Sequence, residues 1–142
     1  MKKNIKTKSK ILLVDDEKTI LEMYSIRLNQ EGFKVFTADS AQNGMEIINK
    51  EKPDLVFADI VMPKKDGFWL LGKIKKHKDE KISETPVIML TNMDDPDSRK
   101  KCCNLGCLYF LVKPRYSPSK LVEMIEDILT VKKHSSGILA NK

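Results

Sequence analysis

Five short apolar runs recur along the chain: residues 10–15 (KILLVD), 34–38 (KVFTA), 54–59 (DLVFAD), 86–91 (PVIMLT) and 108–113 (LYFLVK). Four of them are near-continuous rather than alternating, the pattern of strands covered on both faces, as in a parallel sheet. Helical spacing fills the gaps between them. Residues 18–31 place Ile20, Tyr24 and Leu28 on one face, with Gly32 as the stop. Residues 40–50 open on Ser40, an N-capping type. Residues 66–78 carry Phe68, Leu71 and Ile74. Residues 95–105 open on Asp95-Pro96 and stop at Gly106. Residues 117–131 open on Ser117-Pro118 and carry Leu121, Ile125, Ile128 and Leu129. Residues 79–85 (DEKISET) read as a charged loop. Five strand–helix units in succession predict a three-layer α/β sandwich with right-handed crossovers.

Length allows one compact domain and not two: the chain has 142 residues. Its net charge of +6 suggests a nucleic-acid binder only until the charge is located. Residues 1–10 carry five lysines and no acid, and residues 132–142 carry three lysines and no acid, which leaves 18 basic and 20 acidic residues between them. The folded part is therefore slightly acidic, and no basic nucleic-acid-reading face is expected. The basic ends read as a short extension (1–9) and a frayed tail (132–142) around an ordered unit at 10–131. No apolar run approaches the ~18–20 residues of a membrane helix, and no apolar leader follows the first lysines, so the expected location is the cytoplasm. Cys102, Cys103 and Cys107 form no CxxC pair and have no histidine nearby, and they are expected to be reduced thiols.

The chemistry is concentrated at the strand tips. In open α/β sheets ligands bind beyond the carboxyl ends of the strands. Here those ends carry Asp15 and Asp16, then Asp59, Thr91 and Lys113. Clustered carboxylates repel one another and raise one another's pKa, and a divalent cation relieves this. An all-oxygen donor set with room for water suits Mg²⁺. A metal and an ammonium beside one carboxylate make a pocket for a phosphoryl group, with Asp59 as nucleophile and Thr91 and Lys113 as phosphoryl contacts.

These residues resemble the receiver domain of two-component response regulators. The likeness rests on LLVDDE, DLVFADIVMPKKDG, PVIMLTN and GCLYFLVKP, and covers about residues 10–131. It implies a flavodoxin-like doubly wound sheet of order 2-1-3-4-5 with five helices. It implies that Asp59 is the phospho-acceptor, and that Asp16, Asp59 and the Val61 carbonyl bind Mg²⁺ directly, with Asp15 acting largely through water. It further implies that Lys113 contacts the phosphoryl group before a cis Pro114, while Thr91 and Phe110 move as switch residues. Met62 is expected to pack the loop after Asp59 onto the core, Pro63 to stiffen it, and Asp66-Gly67 to turn it into the next helix. Tyr109 points away from Phe110 by strand alternation.

The implied partners are a sensor histidine kinase or histidine phosphotransfer protein and an unidentified downstream protein, selected by the fourth helix, fifth strand and fifth helix. The same face is a candidate for homodimer contacts, pairing Arg99, Lys100, Lys101, Arg115 and Lys120 with Asp94, Asp95 and Asp97; an ordinary solvated face explains those charges equally well. Apolar Val61 and Met93, two residues past Asp59 and Thr91, imply slow loss of the phosphoryl group. The role implied is a signalling switch with self-catalysed phosphotransfer, not a metabolic enzyme. A phosphohydrolase of the haloacid-dehalogenase type needs a second acid two residues past its nucleophile, where this chain has Val61. A scaffold receiver is expected to lack an acid, the Thr or the Lys, and none is missing. The chain reads as a stand-alone receiver or as a segment of something longer.

Overall fold

The computed structural model of the protein describes residues 9–92 and 94–134, the side chains of residues 114 and 132–134 excepted. The strands are β1 (Lys10–Val14), β2 (Lys34–Ala38), β3 (Leu55–Ala58), β4 (Val87–Thr91) and β5 (Tyr109–Val112). The helices between and after them are α1 (Lys18–Gln30), α2 (Ala41–Glu51), α3 (Gly67–Lys75), α4 (Pro96–Leu105) and α5 (Pro118–His134). All strand pairs are parallel, in the order β2-β1-β3-β4-β5.

The near-continuous apolar runs have the expected cause. Every residue of β3 and β4 is buried, because helices cover both faces. One face packs Leu12, Val14, Val56, Met89 and Phe110 against α2, α3 and α4. The other packs Ile11, Leu13, Phe57, Ile88 and Leu111 against α1 and α5. Each fully buried Leu or Ile contributes about 1.5–3 kcal/mol, so this two-sided burial dominates the fold. Tyr109 and Phe110 lie on opposite faces, as alternation requires.

The helix starts follow the capping residues. Ser40, Asp66 and Asp95 each accept a hydrogen bond from a first-turn amide, and Pro96 follows Asp95 at the start of α4. Gly106 ends α4 in the left-handed region at φ 100°, where a side chain would be strained.

Two expectations need correction. Residues 79–85 are not all loop: Glu80–Ser83 form a sixth, single-turn helix, capped by Asp79 and anchored by fully buried Ile82. α5 continues to His134, into the segment read as tail. The cis bond expected before Pro114 falls on a residue outside those whose placement is described in full. Lys113–Arg115 form a 3-10 turn closed by Tyr116 N donating to Lys113 O (3.0 Å), and this turn bends the chain after β5.

Candidate functional site

Register brings the acids together. Val14 pairs with Ala58 across β1 and β3, and Asp59 N donates to Val14 O at 2.9 Å. Asp15 and Asp59, each one residue past its strand, therefore sit side by side. On the other flank Thr91 pairs with Val112, so Lys113 leaves β5 at the same edge of the sheet. Lys113 Nζ lies 2.6 Å from Asp15 Oδ2, 3.1 Å from Glu17 Oε1 and 3.4 Å from Asp59 Oδ2. Asp15, Asp59 and Lys113 are all buried, while Glu17 is half exposed.

Each buried acid divides its two oxygens in the same way. Asp15 Oδ1 accepts from Glu17 N (2.9 Å) and Asp59 Oδ1 from Ile60 N (2.8 Å), which leaves Oδ2 of both for Lys113. The backbone thus fixes the carboxylates before any ligand arrives. Burial pushes the Asp59 carboxyl up to about 6; Lys113 opposes the rise and Asp15 adds to it. Burial also raises Asp15, against the pull of Lys113. Its bond to Lys113 holds Glu17 below its ordinary value. Burial alone would lower Lys113, but its bond to Asp15 and the charges around it outweigh that and leave it raised.

One ammonium faces three carboxylates, so the ionised set carries an excess of negative charge. Single oxygens of Asp15, Glu17 and Asp59 all lie within 4.8 Å of one another, an all-oxygen set of the kind a hard divalent cation takes. The residues present fit Mg²⁺.

Glu17 was missed in the sequence. The only signal is its place in the Asp15-Asp16-Glu17 run. It stands at the start of α1 without capping the helix, and its carboxylate bonds instead to Lys113 and to the Asn92 amide (3.3 Å). Asp16 is exposed and lies outside the 4.8 Å set. The Val61 side chain is 60% exposed beside the site. Thr91 is buried at the tip of β4, and Phe110 is buried on β5. Arg99 lies over the Phe110 ring at 4.6 Å from its centroid and pairs with Asp94 at 2.9 Å. Met93 and the Pro114 side chain lie outside the described residues.

The loop after Asp59 is held from inside and out. Met62 is buried in the core. Gly67 N donates to Ile60 O at 2.8 Å, and a Cβ on Gly67 would stand 2.2 Å from the Asp59 carbonyl oxygen and 2.8 Å from Ile60 Cα. Only glycine lets α3 approach the end of β3 this closely. Gly67→Ala is expected to lose about 3 kcal/mol or more in urea denaturation, the upper end for overpacking, because backbone rather than a flexible side chain must give way. A loss below about 0.5 kcal/mol would show that the loop yields freely.

The fold and this cluster define a receiver. The chain belongs to the response regulator receiver domain family, which it matches over residues 11–126. It is 36% identical over 126 residues to the "Probable transcriptional regulator ycf27" of Guillardia theta, covering 89% of this chain and 47% of that protein. The chain thus spans about half the length of the curated relatives it matches. The structure resembles the CheY-like response regulator receiver domain protein of Methanospirillum hungatei JF-1, with a TM-score of 0.81, 29% identity, and coverage of 89% of this chain and 97% of that one. It also resembles a chain of the CheX-CheY-BeF3-Mg+2 complex of Borrelia burgdorferi, with a TM-score of 0.75, 25% identity, and coverage of 84% of this chain and 88% of that one. Among the described residues no helix is long and apolar enough to cross a membrane.

Proposed function

We propose that this receiver accepts a phosphoryl group on Asp59 and acts as a cytoplasmic signalling switch. The carrying observation is the buried contact of Lys113 Nζ with both Asp15 and Asp59. Asp59 Oδ2 attacks phosphorus as the P–N bond of a donor phosphohistidine breaks, and the imidazole nitrogen leaves with the bonding pair. Lys113 would meet the charge of the transferred group, and Thr91, at the next strand tip, would hydrogen-bond one of its oxygens. Asp16, Asp59 and the Val61 carbonyl would hold Mg²⁺ directly and Asp15 largely through water; there the cation would neutralise charge on the phosphoryl oxygens. The related Borrelia burgdorferi complex, which carries BeF3 and Mg+2, supports this reading.

The donor is a histidine kinase or phosphotransfer protein. The output is a population shift across α4, β5 and α5 that selects a downstream protein. Phe110 and its Arg99 cover lie on that path. Homodimer pairing through the same face draws on fewer acids than the sequence suggested. Asp94 pairs with Arg99 and Arg115 within the chain, and Asp95 accepts from Asp97 N and the Ser98 hydroxyl.

Intact-mass measurement after mixing with Mg²⁺ and a small phosphodonor tests the assignment. One phosphoryl adduct is expected on the wild type, none with a chelator and none on Asp59→Asn. An adduct surviving on the variant removes the assignment. With apolar Val61 beside the site, the adduct is expected to outlast the seconds range.

A further inference from the structure

We infer that the groove between α3 and α4 docks an acidic peptide segment of a partner protein. It has a volume of about 690 Å³ and is walled by Phe68, Trp69, Lys73, Lys76, Lys78 and Lys101. Phe68 and Trp69 are half-buried at the outer edge of the core. Lys101 Nζ stands 4.3 Å from the Phe68 ring centroid, and Lys73 and Lys65 stand 5.8 and 5.7 Å from that of Trp69. Among the described residues, no acid forms a salt bridge with any of the four lining lysines.

The other polar groups of the groove do not offset that charge. The Asp66 carboxylate accepts from Trp69 N at 2.9 Å as the cap of α3. His77 Nδ1 accepts from Asp79 N (3.0 Å), and its Nε2 lies 2.8 Å from Asn49 Oδ1, so both ring nitrogens are already engaged. Four lysines thus face one acid, on a folded body that is slightly acidic overall.

Charge complementarity selects the occupant. The protein's own ends are lysine-rich and would be repelled. A nucleic acid shares the needed negative charge, but base stacking needs open ring faces. Here ammonium groups cover the faces of Phe68 and Trp69. Carboxylates meet those ammonium groups where they already stand, and apolar side chains between the carboxylates meet the ring edges. The inference does not depend on Asp59 chemistry, since the groove lies on the outer side of α3 and α4.

Trp69 is the single tryptophan of the chain and reports from inside the groove. The full chain is titrated with a short synthetic peptide alternating Glu and Leu, followed by Trp69 fluorescence and by anisotropy of the labelled peptide. Saturable binding is expected, weakening steeply with salt. Changing both Lys73 and Lys101 to Glu is expected to weaken it at least about tenfold. Lys76→Glu with Lys78→Glu should do the same, while Lys34→Glu on the far edge strand should leave it unchanged. All these positions are exposed, and circular dichroism checks that each variant folds.

Equal binding of the same peptide with Gln for Glu would overturn the inference, as would charge reversals without effect. Tighter binding of oligothymidine would mark the groove as a nucleic-acid surface instead. Self-association of the peptide-free protein, abolished by the Lys73 and Lys101 reversal, would assign the groove to a second copy.

Discussion

Asp59→Asn is expected to be more stable than the wild type in magnesium-free buffer at neutral pH, by up to about 3 kcal/mol. Burial raises the Asp59 carboxyl to about 6, from an ordinary 3.8. A raised carboxyl means that the folded state holds the proton more tightly than the unfolded chain does. The stability this contributes is full below the ordinary value and is lost as pH rises through about 6. The gap corresponds to about 3 kcal/mol, borne by the ionised wild type at pH 7. Asparagine keeps the shape and the acceptor for Ile60 N without the charge, and Lys113 retains Asp15 and Glu17. The advantage of the variant should therefore shrink as pH falls below about 6, where the wild type takes up its proton. It should shrink again when Mg²⁺ is added, because the cation stabilises only the cluster that keeps its acid. Urea denaturation across this pH range, with and without Mg²⁺, reads both effects. A less stable Asp59→Asn at pH 7 would mean that Lys113 more than compensates the buried charge.

Lys113→Ala is the opposite case. Removing one partner of a buried ion pair typically costs about 3–5 kcal/mol, because the remaining charge is left uncompensated. Here two buried acids and Glu17 lose their common cation at once. A loss of about 3–5 kcal/mol is expected at neutral pH without Mg²⁺. It should be partly recovered on acidification, which neutralises Asp15 and Asp59, or on adding Mg²⁺. Combining Lys113→Ala with Asp59→Asn should cost less than the single effects summed, since the second change removes the charge that the first leaves stranded. The single variant is still expected to take up phosphoryl while switching poorly. Stability within about 0.5 kcal/mol of the wild type would show that the ammonium is not the counter-ion of the cluster.

The strands were legible because the sheet is covered on both faces. Runs such as LVFA and VIMLT carry no polar residue before the terminal Thr91, and only a two-sided sheet needs that. Because those runs stop at Asp15, Asp59 and Lys113, the charged cluster at the tips was legible with them. The strand order came with the family likeness and not from the runs. Glu17 was not legible, since its reach to Lys113 depends on how the β1–α1 turn folds onto Asp15. The Glu80–Ser83 turn carries one buried residue, too little to show a period. The extension of α5 to His134 was hidden by lysines that a solvated helix end tolerates as well as a tail does. Asp66-Gly67 was readable as a turn, but the need for glycine lies in its approach to the Asp59 carbonyl, a contact across eight residues of chain.

The most direct test is a carbon-13 NMR titration of the Asp59 side-chain carboxyl, followed with and without Mg²⁺. The expected midpoint is about 6 in magnesium-free buffer, shifted well down once Mg²⁺ is present. A midpoint near the ordinary carboxylate value that Mg²⁺ leaves unmoved would contradict the account. Asp59 would then be neither confined with Asp15 nor part of a cation site.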